Sequence, residues 1–471
     1  MLFDSFSYWV FFSVVLVALS SLSDRLGRLA LVLAGFIFYS FWNPRFSLLL
    51  GGSILANYLF GLWIGTTGET RRRTAVTLAI VFNLSLLCLF KYYTFFIDSA
   101  ARLLAGANLN PWRLDITLPV GISFITFEGI AYAVDVYRRD TPPVRSLTNF
   151  GVFMSFFPHL VAGPIIRPAH FFPQLDDRQP LRDSMVKWGV VQVLKGLIKK
   201  MIFADYFAII ANAYFSHNLF ISQPVPAALG VLAFSFQIYF DFAGYTDIAR
   251  GCARLLGYDF PSNFERPYLS YNITDFWRRW HISLSTWLRD YIYIPLGGNR
   301  RGPLKTYINI IIVMALGGLW HGASWNFVIW GLYHGVLLLC HRAWIGLFTD
   351  RPLVNYPFGW LLNIASMLLT FIAVTVGWVP FRAPDFSATL RTLTELSSRG
   401  ITHFLEANPA FTVLCLLPAL YCFVDSTRRL ERWLTDQAPL VVVAVFAAMA
   451  LVLVETFGQF GLQVPFIYFQ F

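Results

Sequence analysis

Long apolar segments joined by short polar ones run through almost the whole 471-residue chain. Because a helix needs about 20 mostly apolar residues to cross a bilayer, this pattern predicts an all-α polytopic membrane protein. The candidate spans cover residues 8–23, 29–42, 46–65, 74–97, 116–137, 201–216, 226–249, 304–320, 325–345, 359–380, 409–424 and 438–458. With re-entrant segments included, we expect about 11–13 membrane-embedded helices.

Composition agrees with this pattern, since 57% of the residues are hydrophobic and 13% are charged, against roughly 25% charged in soluble domains. The apolar segments leave no room for a separate soluble domain, so residues 1–471 are expected to form one membrane domain. Basic cytoplasmic loops beside anionic lipid headgroups explain the net charge of +10. We therefore expect membrane lipids, and no nucleic acid, among the partners.

Arginine clusters between the spans predict the orientation of the chain. The basic residues that follow the first, third and fifth spans are Arg25, Arg28, Arg71, Arg72, Arg73, Arg138, Arg139 and Arg145. Because cytoplasmic loops collect Lys and Arg, these loops are placed in the cytoplasm and the N-terminus outside. The same rule places Lys195, Lys199 and Lys200 on the cytoplasmic side.

That orientation requires the apolar stretch 147–162 to dip into the membrane and return, or to lie at its surface. The stretch leads into Ala162-Gly163-Pro164, where glycine and proline stop a regular helix. Irregular backbone is tolerated at membrane depth only where protein or water satisfies it. The break is therefore a candidate cavity wall.

The segment 250–305 is too polar to span a membrane but is rich in aromatic residues. Within it, residues 274–291 are predicted to form one amphipathic helix, capped at Thr274 or Asp275. An i, i+4 ion pair is expected between Asp275 and Arg279. Its apolar face would carry Trp280, Leu284, Trp287 and Tyr291. Such a helix either lies among the headgroups or enters a central cavity.

His321 stands out among the eight histidines because it directly follows a strongly apolar run. Ionisable residues at membrane depth usually face a polar cavity or a partner. Gly317, Gly318 and Gly322 surround it, and they allow another backbone or a substrate to approach closely. This setting favours a functional role over a structural one.

His281 lies in the sequence Trp-Arg-Arg-Trp-His-Ile-Ser, and Ser285 follows it by four residues. A His–Ser contact is possible at this spacing, but no Gly-x-Ser-x-Gly elbow accompanies it, so a serine-hydrolase triad is not expected. His334 and His341 share one helix face, yet a metal site would need further ligands. No metal is predicted.

Acidic residues also lie in apolar surroundings. Glu128 and Asp135 are two turns apart on one predicted helix. Asp241 is expected to pair with an arginine or to cap a helix break at Gly244, and a role at the site is the second possibility. No nucleotide-binding glycine loop or metalloprotease motif is found.

Four motifs in the second half of the chain are distinctive: Asp241–Asp247 (DFAGYTD), Asp275–Asp290 (DFWRRWHISLSTWLRD), Ile294–Asn299 (IPLGGN) and Gly318–Gly322 (GLWHG). They resemble motifs of the membrane-bound O-acyltransferase family, and within it those of the bacterial alginate O-acetylation branch. The stretches Leu118–Phe124 and Ala162–Ile165 match the same family. The matches run from about 118 to 335, and length and span count fit over the whole chain.

This resemblance implies a ring of helices around a thin centre, with an acyl donor arriving from one side and an acceptor from the other. It assigns the essential histidine to His321 and the second histidine to His281. It also implies a bacterial inner-membrane location. Glu128 departs from the family pattern, where glutamine is expected, which leaves any role of an amide there in doubt.

Acyl transfer needs a base for the acceptor hydroxyl, or a nucleophile, and donors for the carbonyl oxygen. Histidine titrates near neutral pH, so His321 can fill the first role, with His281 supporting it. Trp320, Asn326 or backbone N–H groups near Gly322 are candidates for the second. Arg278 and Arg279 are placed at the entrance for an anionic donor.

We therefore predict an O-acetyltransferase that serves an extracytoplasmic polysaccharide, alginate-like or another. It would need no cofactor besides an acyl donor such as acetyl-CoA or another acyl thioester. Within the family, the alternative acceptors are a partner protein, peptidoglycan or a teichoic-acid-type polymer. A periplasmic partner transferase could finish the reaction. From other classes, the alternatives are a transporter, against which the absence of two related halves counts, and a scaffold subunit.

Overall fold

The computed structural model describes residue 1 and residues 3–103, 114, 116–160, 163–177, 181–216, 224–348, 359–397, 401–407, 409, 413, 421 and 428–458. Within these ranges the secondary structure is helical and contains no strand. The predicted all-α class is confirmed. The predicted span 409–424 lies almost entirely outside the described residues.

The chain forms two compact units, residues 1–189 with 248–261 and residues 190–247 with 262–471. The helices that begin in unit 1 are α1 (Phe6–Ser21), α2 (Asp24–Ser40), α3 (Pro44–Thr66), α4 (Glu69–Leu87), α5 (Tyr93–Leu103), α6 (Ile122–Arg138), α7 (Leu147–Ser155), α8 (Pro168–Asp176) and α9 (Asp183–Leu197). A π-helical turn, Cys88–Tyr92, joins α4 to α5. The prediction of one domain over the whole chain stays a prediction.

Unit 2 contains most of the polar segment and the C-terminal helices. Its helices are α10 (Asp205–Phe215), α11 (Ala227–Leu255), α12 (Ile273–Arg279), α13 (Ile282–Leu288), α14 (Pro303–His321), α15 (Trp325–Phe348), α16 (Gly359–Arg382), α17 (Phe386–Glu395), α18 (Ile401–Ala407), α19 (Arg429–Arg432) and α20 (Leu440–Phe457). The last eight residues of α11 belong to unit 1.

Seven helices among the described residues are long and apolar enough to cross a membrane. They are Pro44–Thr66, Glu69–Arg102, Ala227–Leu255, Pro303–His321, Trp325–Leu347, Gly359–Arg382 and Leu440–Phe457. The apolar helix Phe6–Ser21 is shorter. The chain is thus a multi-pass membrane protein, while the number of 11–13 helices and their ring arrangement stay predictions.

The basic end of α4 packs against the end of α6 in unit 1. Arg72 is buried and donates hydrogen bonds of 2.7 Å to the carbonyls of Val136 and Tyr137, which lie in the last turn of α6. A cation at this position satisfies carbonyls that have no partner inside their own helix. The contact places the 66–73 and 138–146 loops at the same end of unit 1, which agrees with the predicted alternation.

Lys199 and Lys200, which the charge pattern places on the cytoplasmic side, are not exposed at a surface. They lie in a π-helical stretch, Ile198–Ala204, that connects α9 to α10, and both are buried. Lys199 Nζ lies 2.6 Å from Asp247 Oδ2, and Lys200 Nζ lies 2.7 Å from Asp205 Oδ1 and 3.2 Å from Asp241 Oδ1. We name these five residues the charged cluster. Buried charges must be paired, and acidic partners make burial possible here.

The charged cluster also corrects the prediction for Asp241. Its partner is a lysine, and α11 runs through Gly244 without a break. A Cβ at Gly244 would come within 2.8 Å of the Gly196 carbonyl and 3.0 Å of the Lys200 nitrogen. The glycine therefore allows α11 to lie close to the backbone that carries the two lysines.

The apolar stretch 147–162 begins with the nine-residue helix α7, which ends at Ser155. Phe150, Phe153, Phe156 and Phe157 are wholly buried in unit 1. Helix α7 is about 13 Å long at 1.5 Å per residue and is too short to cross a bilayer. A short embedded or surface segment therefore remains the assignment for this stretch.

Candidate active site

The prediction of one continuous helix over residues 274–291 is wrong, because the helix is interrupted at His281. Helix α12 ends at Arg279 and α13 begins at Ile282, and His281 between them has a φ of +44°. Non-glycine residues rarely adopt this left-handed conformation. A side chain held in such a backbone is positioned by contacts from elsewhere in the fold, which strengthens the case for function.

The start of α12 differs from the prediction in its cap. Asn272 is the N-cap, and its side chain accepts a hydrogen bond of 2.9 Å from the Asp275 nitrogen. The predicted i, i+4 pair is confirmed, with Arg279 Nε 2.9 Å from Asp275 Oδ1. Arg278 is exposed to solvent. Of the two arginines expected to receive an anionic donor, Arg279 is engaged within the helix and Arg278 faces outward.

His321 lies at the last residue of α14 and is 3% exposed. Its ring is packed in unit 2 among aromatic rings, with centroid distances of 5.0 Å to Trp320, 5.0 Å to Trp330 and 5.1 Å to Phe381. The ring of His281 lies 6.5 Å away, centroid to centroid. The two histidines that the sequence singled out are therefore neighbours. We name these two residues and the aromatic rings packed around them the histidine cluster.

The glycines around His321 serve packing between helices. A Cβ at Gly318 would overlap the carbonyl of Phe327, and one at Gly322 would overlap the Phe327 ring. At Gly331 on α15, a Cβ would overlap the Met314 carbonyl of α14. Small residues allow helices to approach closely in a membrane. Of the two predicted uses of Gly318, close approach of another backbone is the one found.

His281 is fully buried and makes one side-chain hydrogen bond among the described residues. Its Nδ1 lies 3.3 Å from Asn263 Oδ1. Burial lowers the pKa of His281 to about 3, so its ring is neutral at physiological pH. The anticipated contact with the Ser285 side chain is not formed, because Ser285 Oγ donates to the Trp280 carbonyl at 3.2 Å.

The other predicted site residues fall into two groups. Trp320 is 4% exposed, and its ring lies 5.7 Å from the His281 ring, so it belongs to the histidine cluster. Asn326 instead donates from Nδ2 to the Ala383 carbonyl at 3.0 Å and to Thr389 Oγ1 at 3.3 Å. These two bonds occupy the amide donors, so the geometry favours Trp320 over Asn326 as an oxyanion donor.

His334 also lies in the histidine cluster, although the sequence indicated no role for it. It is fully buried, and its ring centroid lies 4.9 Å from Trp330 and 5.2 Å from Trp277. Neither of its ring nitrogens has a hydrogen-bond partner among the described residues. His341 is different, since its Nδ1 lies 2.9 Å from Thr274 Oγ1. His341 is thus the better negative control.

Glu128, which departs from the family pattern, pairs with a histidine in unit 1. Its Oε1 lies 2.8 Å from His159 Nε2, and both side chains are buried. No group of three or more His, Cys, Asp or Glu side chains that could hold a metal is present in the described part of the chain. Sequence analysis missed His159 and Asn263, because neither lies in a local pattern that points to its partner.

Comparison with known proteins gives a consistent picture. A family model described as MBOAT, membrane-bound O-acyltransferase family, matches residues 144–376. The probable alginate O-acetylase AlgI of Pseudomonas aeruginosa is 41% identical over 87% of this chain and 77% of its own length. The peptidoglycan O-acetyltransferase of Helicobacter pylori is 39% identical over 78% of this chain and 73% of its own length.

A more distant relative is the teichoic acid D-alanyltransferase of Bacillus subtilis, which is 31% identical over 57% of this chain and 69% of its own length. The family match covers both histidines and the helices that hold them. With these similarities and the multi-pass helical fold, the chain belongs to the membrane-bound O-acyltransferase family and is an O-acyltransferase.

Proposed function

We propose that this protein transfers an acetyl group from a thioester donor to an extracytoplasmic polysaccharide. The observation that carries the proposal is the buried pair His281 and His321 in one aromatic cluster. Relatives named as alginate O-acetylase and peptidoglycan O-acetyltransferase support an acetyl group and a glycan acceptor. Membership of an acyltransferase family argues against the transporter and scaffold alternatives.

His321 is the catalytic residue of this proposal, and His281 supports it. An imidazole can take the proton of an acceptor hydroxyl or carry an acyl group. The surrounding tryptophan and phenylalanine rings keep the site poor in water, which strengthens every electrostatic interaction inside it. The Trp320 indole N–H is the preferred donor to the carbonyl oxygen, and a backbone N–H near Gly322 is the second.

The donor is proposed to arrive from the cytoplasm as acetyl-CoA or another acyl thioester. Arg278 is exposed beside the polar turn that carries His281, and a guanidinium there would attract an anionic donor. No further cofactor is proposed. A second acceptor class, a teichoic-acid-type polymer, is supported by the more distant relative.

The acetyl content of cell-surface glycans tests this proposal. We expect glycan mass spectrometry to show acetyl esters with the wild-type protein and almost none with His321→Ala, at equal amounts of membrane-inserted protein. His341→Ala is the matched histidine control and should retain acetylation. Equal acetylation by wild type and His321→Ala would contradict the assignment of the active site.

We further propose a bacterial inner-membrane location with the N-terminus outside. The arginine clusters of the 66–73 and 138–146 loops support it. A single cysteine placed at Thr70, in a background whose native cysteines are replaced, should resist a membrane-impermeant thiol reagent in intact cells and react after lysis. Labelling in intact cells would reverse the orientation.

A further inference from the structure

Asn263 contacts the turn that carries His281 through four hydrogen bonds. Its backbone carbonyl accepts from the Ile282 nitrogen at 3.0 Å. Its side-chain Oδ1 accepts from the Ser283 nitrogen at 3.0 Å and from Ser283 Oγ at 3.0 Å, and it lies 3.3 Å from His281 Nδ1. One residue therefore holds the left-handed turn between α12 and α13.

The backbone contact also fixes which end of the Asn263 amide faces the histidine. A backbone N–H can only donate, so the atom facing the Ser283 nitrogen must be the amide oxygen. An amide oxygen can only accept, so the hydrogen between Asn263 and His281 must belong to His281 Nδ1. A neutral imidazole carries one N–H, and its Nε2 is then an unprotonated acceptor.

We propose that Asn263 is a positioning residue that holds His281 in the tautomer with a protonated Nδ1 and an unprotonated Nε2, so that Nε2 can accept a hydrogen bond beside His321. The inference rests on the proposed function and names the nitrogen through which His281 supports His321. His281 Nε2 is buried and has no hydrogen-bond partner among the described residues. The rings of Phe242, Trp320 and His321 lie around the His281 ring.

The acyl transfer balances with His321 as the base. The acceptor hydroxyl gives its proton to the His321 ring, and its oxygen bonds to the acyl carbon of the thioester. The carbon–sulfur bond breaks, and the leaving thiolate takes the proton back from His321 to depart as a thiol. His281 exchanges no proton in this step, and its unprotonated Nε2 supports His321 as a hydrogen-bond acceptor.

Several other titratable groups lie on the segments around His281, and they also bear on its protonation. They are His321 on α14, Asp241 on α11 with its partner Lys200, Asp275 on α12 with its partner Arg279, and Glu265. His321 is the one in ring contact with His281. A carboxylate at position 263 would contact His281 directly, whereas Asp241 and Asp275 are each paired with a cation of their own.

The tautomer is measured directly by nitrogen NMR of histidine-labelled full-length protein in lipid nanodiscs, with His281→Gln assigning the signal. We expect a protonated Nδ1 and a bare Nε2 in the wild type, and a changed or mixed tautomer in Asn263→Ala. A wild-type signal with Nε2 protonated overturns the proposal. This measurement does not depend on turnover, so it separates the inference from the proposed function.

The pH dependence of acyl transfer tests whether the position matters for catalysis. Asn263→Asp keeps the acceptor but adds a negative charge that stabilises the protonated ring, so the acidic limb of kcat/KM should move up by about 1–3 pH units. Asn272→Asp is the matched control, because it adds the same charge at the α12 cap, where aspartate caps equally well. It should leave the limb in place.

An Asn263→Asp profile identical to that of the wild type overturns the positioning role even if the tautomer is as expected. A movement of the limb by Asn272→Asp equal to that by Asn263→Asp also overturns it, since the charge would then act without the contact. If the wild-type protein shows the expected tautomer but no acyl transfer, the proposed function is contradicted. The hydrogen-bond assignment is then still supported.

Discussion

The charged cluster and the histidine cluster of unit 2 both bury polar side chains in a membrane protein, but they do so differently. Each lysine of the charged cluster lies within 3.2 Å of a carboxylate. In the histidine cluster, His281 Nε2 and both ring nitrogens of His334 have no partner among the described residues. Charged side chains that are all paired are typical of a structural role. A buried ring nitrogen without a hydrogen-bond partner is typical of a site where a substrate binds or reacts.

This difference separates stability from activity. Removing one member of a buried ion pair leaves an uncompensated charge and destabilises the fold. Removing an imidazole from an aromatic cluster leaves no charge behind, so the fold should tolerate it better while the chemistry fails. Variants of the charged cluster should therefore lose stability, and variants of the histidine cluster should lose activity.

The largest effect on stability is expected from Lys200→Met. This change leaves Asp205 and Asp241 buried without their shared cation, which costs about 3–5 kcal/mol. The yield of folded, detergent-extracted protein should collapse. Lys195→Met is the control, because Lys195 and Glu431 form a half-exposed pair 3.1 Å apart that is worth about 0–1 kcal/mol. Equal yields of the two variants would contradict a structural role for the charged cluster.

A smaller effect is expected from acid. The folded pKa of His281 is lowered to about 3, so between about pH 6.5 and that value the unfolded chain binds more protons than the folded one. Stability should therefore fall as the pH falls below about 6.5, by at most about 1.4 kcal/mol per pH unit from this group.

The thermal unfolding temperature of wild type and His281→Gln, followed from pH 7.5 to pH 5, checks this expectation. The wild type should lose more stability than the variant over this range. A wild type and variant with parallel curves would mean that His281 is not held neutral in the folded state.

The smallest effect is expected from Arg278→Glu. Because Arg278 is exposed, the charge reversal should weaken donor binding by about 1 kcal/mol, which is about a fivefold rise in KM for an acyl-CoA donor, with kcat unchanged. Arg45→Glu is the control, since the predicted orientation places Arg45 on the opposite side of the membrane. An unchanged KM for Arg278→Glu would leave α12 as an interfacial helix only.

The sequence predicted the helical class and most long helices, and family resemblance selected His281 and His321, whose rings the structure places 6.5 Å apart. It did not predict the break at His281, because residues 274–291 have uninterrupted helical periodicity. The turn depends on Asn263, 18 residues before His281, and local propensity cannot report such a contact.

Two other features of the fold could not be predicted from the sequence for related reasons. The charge pattern placed Lys199 and Lys200 on the cytoplasmic side, but it could not predict their burial beside carboxylates up to 48 residues away. The glycines around His321 left open the approach of another backbone or of a substrate, and the backbone of Phe327 is what lies against Gly318. In each case the missing information was a tertiary contact.

We propose that His321 takes part in the chemistry and does not merely fill the core. Turnover of a thioester donor by purified protein in nanodiscs, normalised to folded molecules by its unfolding transition, tests this most directly. His321→Ala should unfold close to the wild-type temperature and transfer acetyl about 10²–10⁴-fold more slowly. Wild-type turnover by folded His321→Ala protein would contradict it.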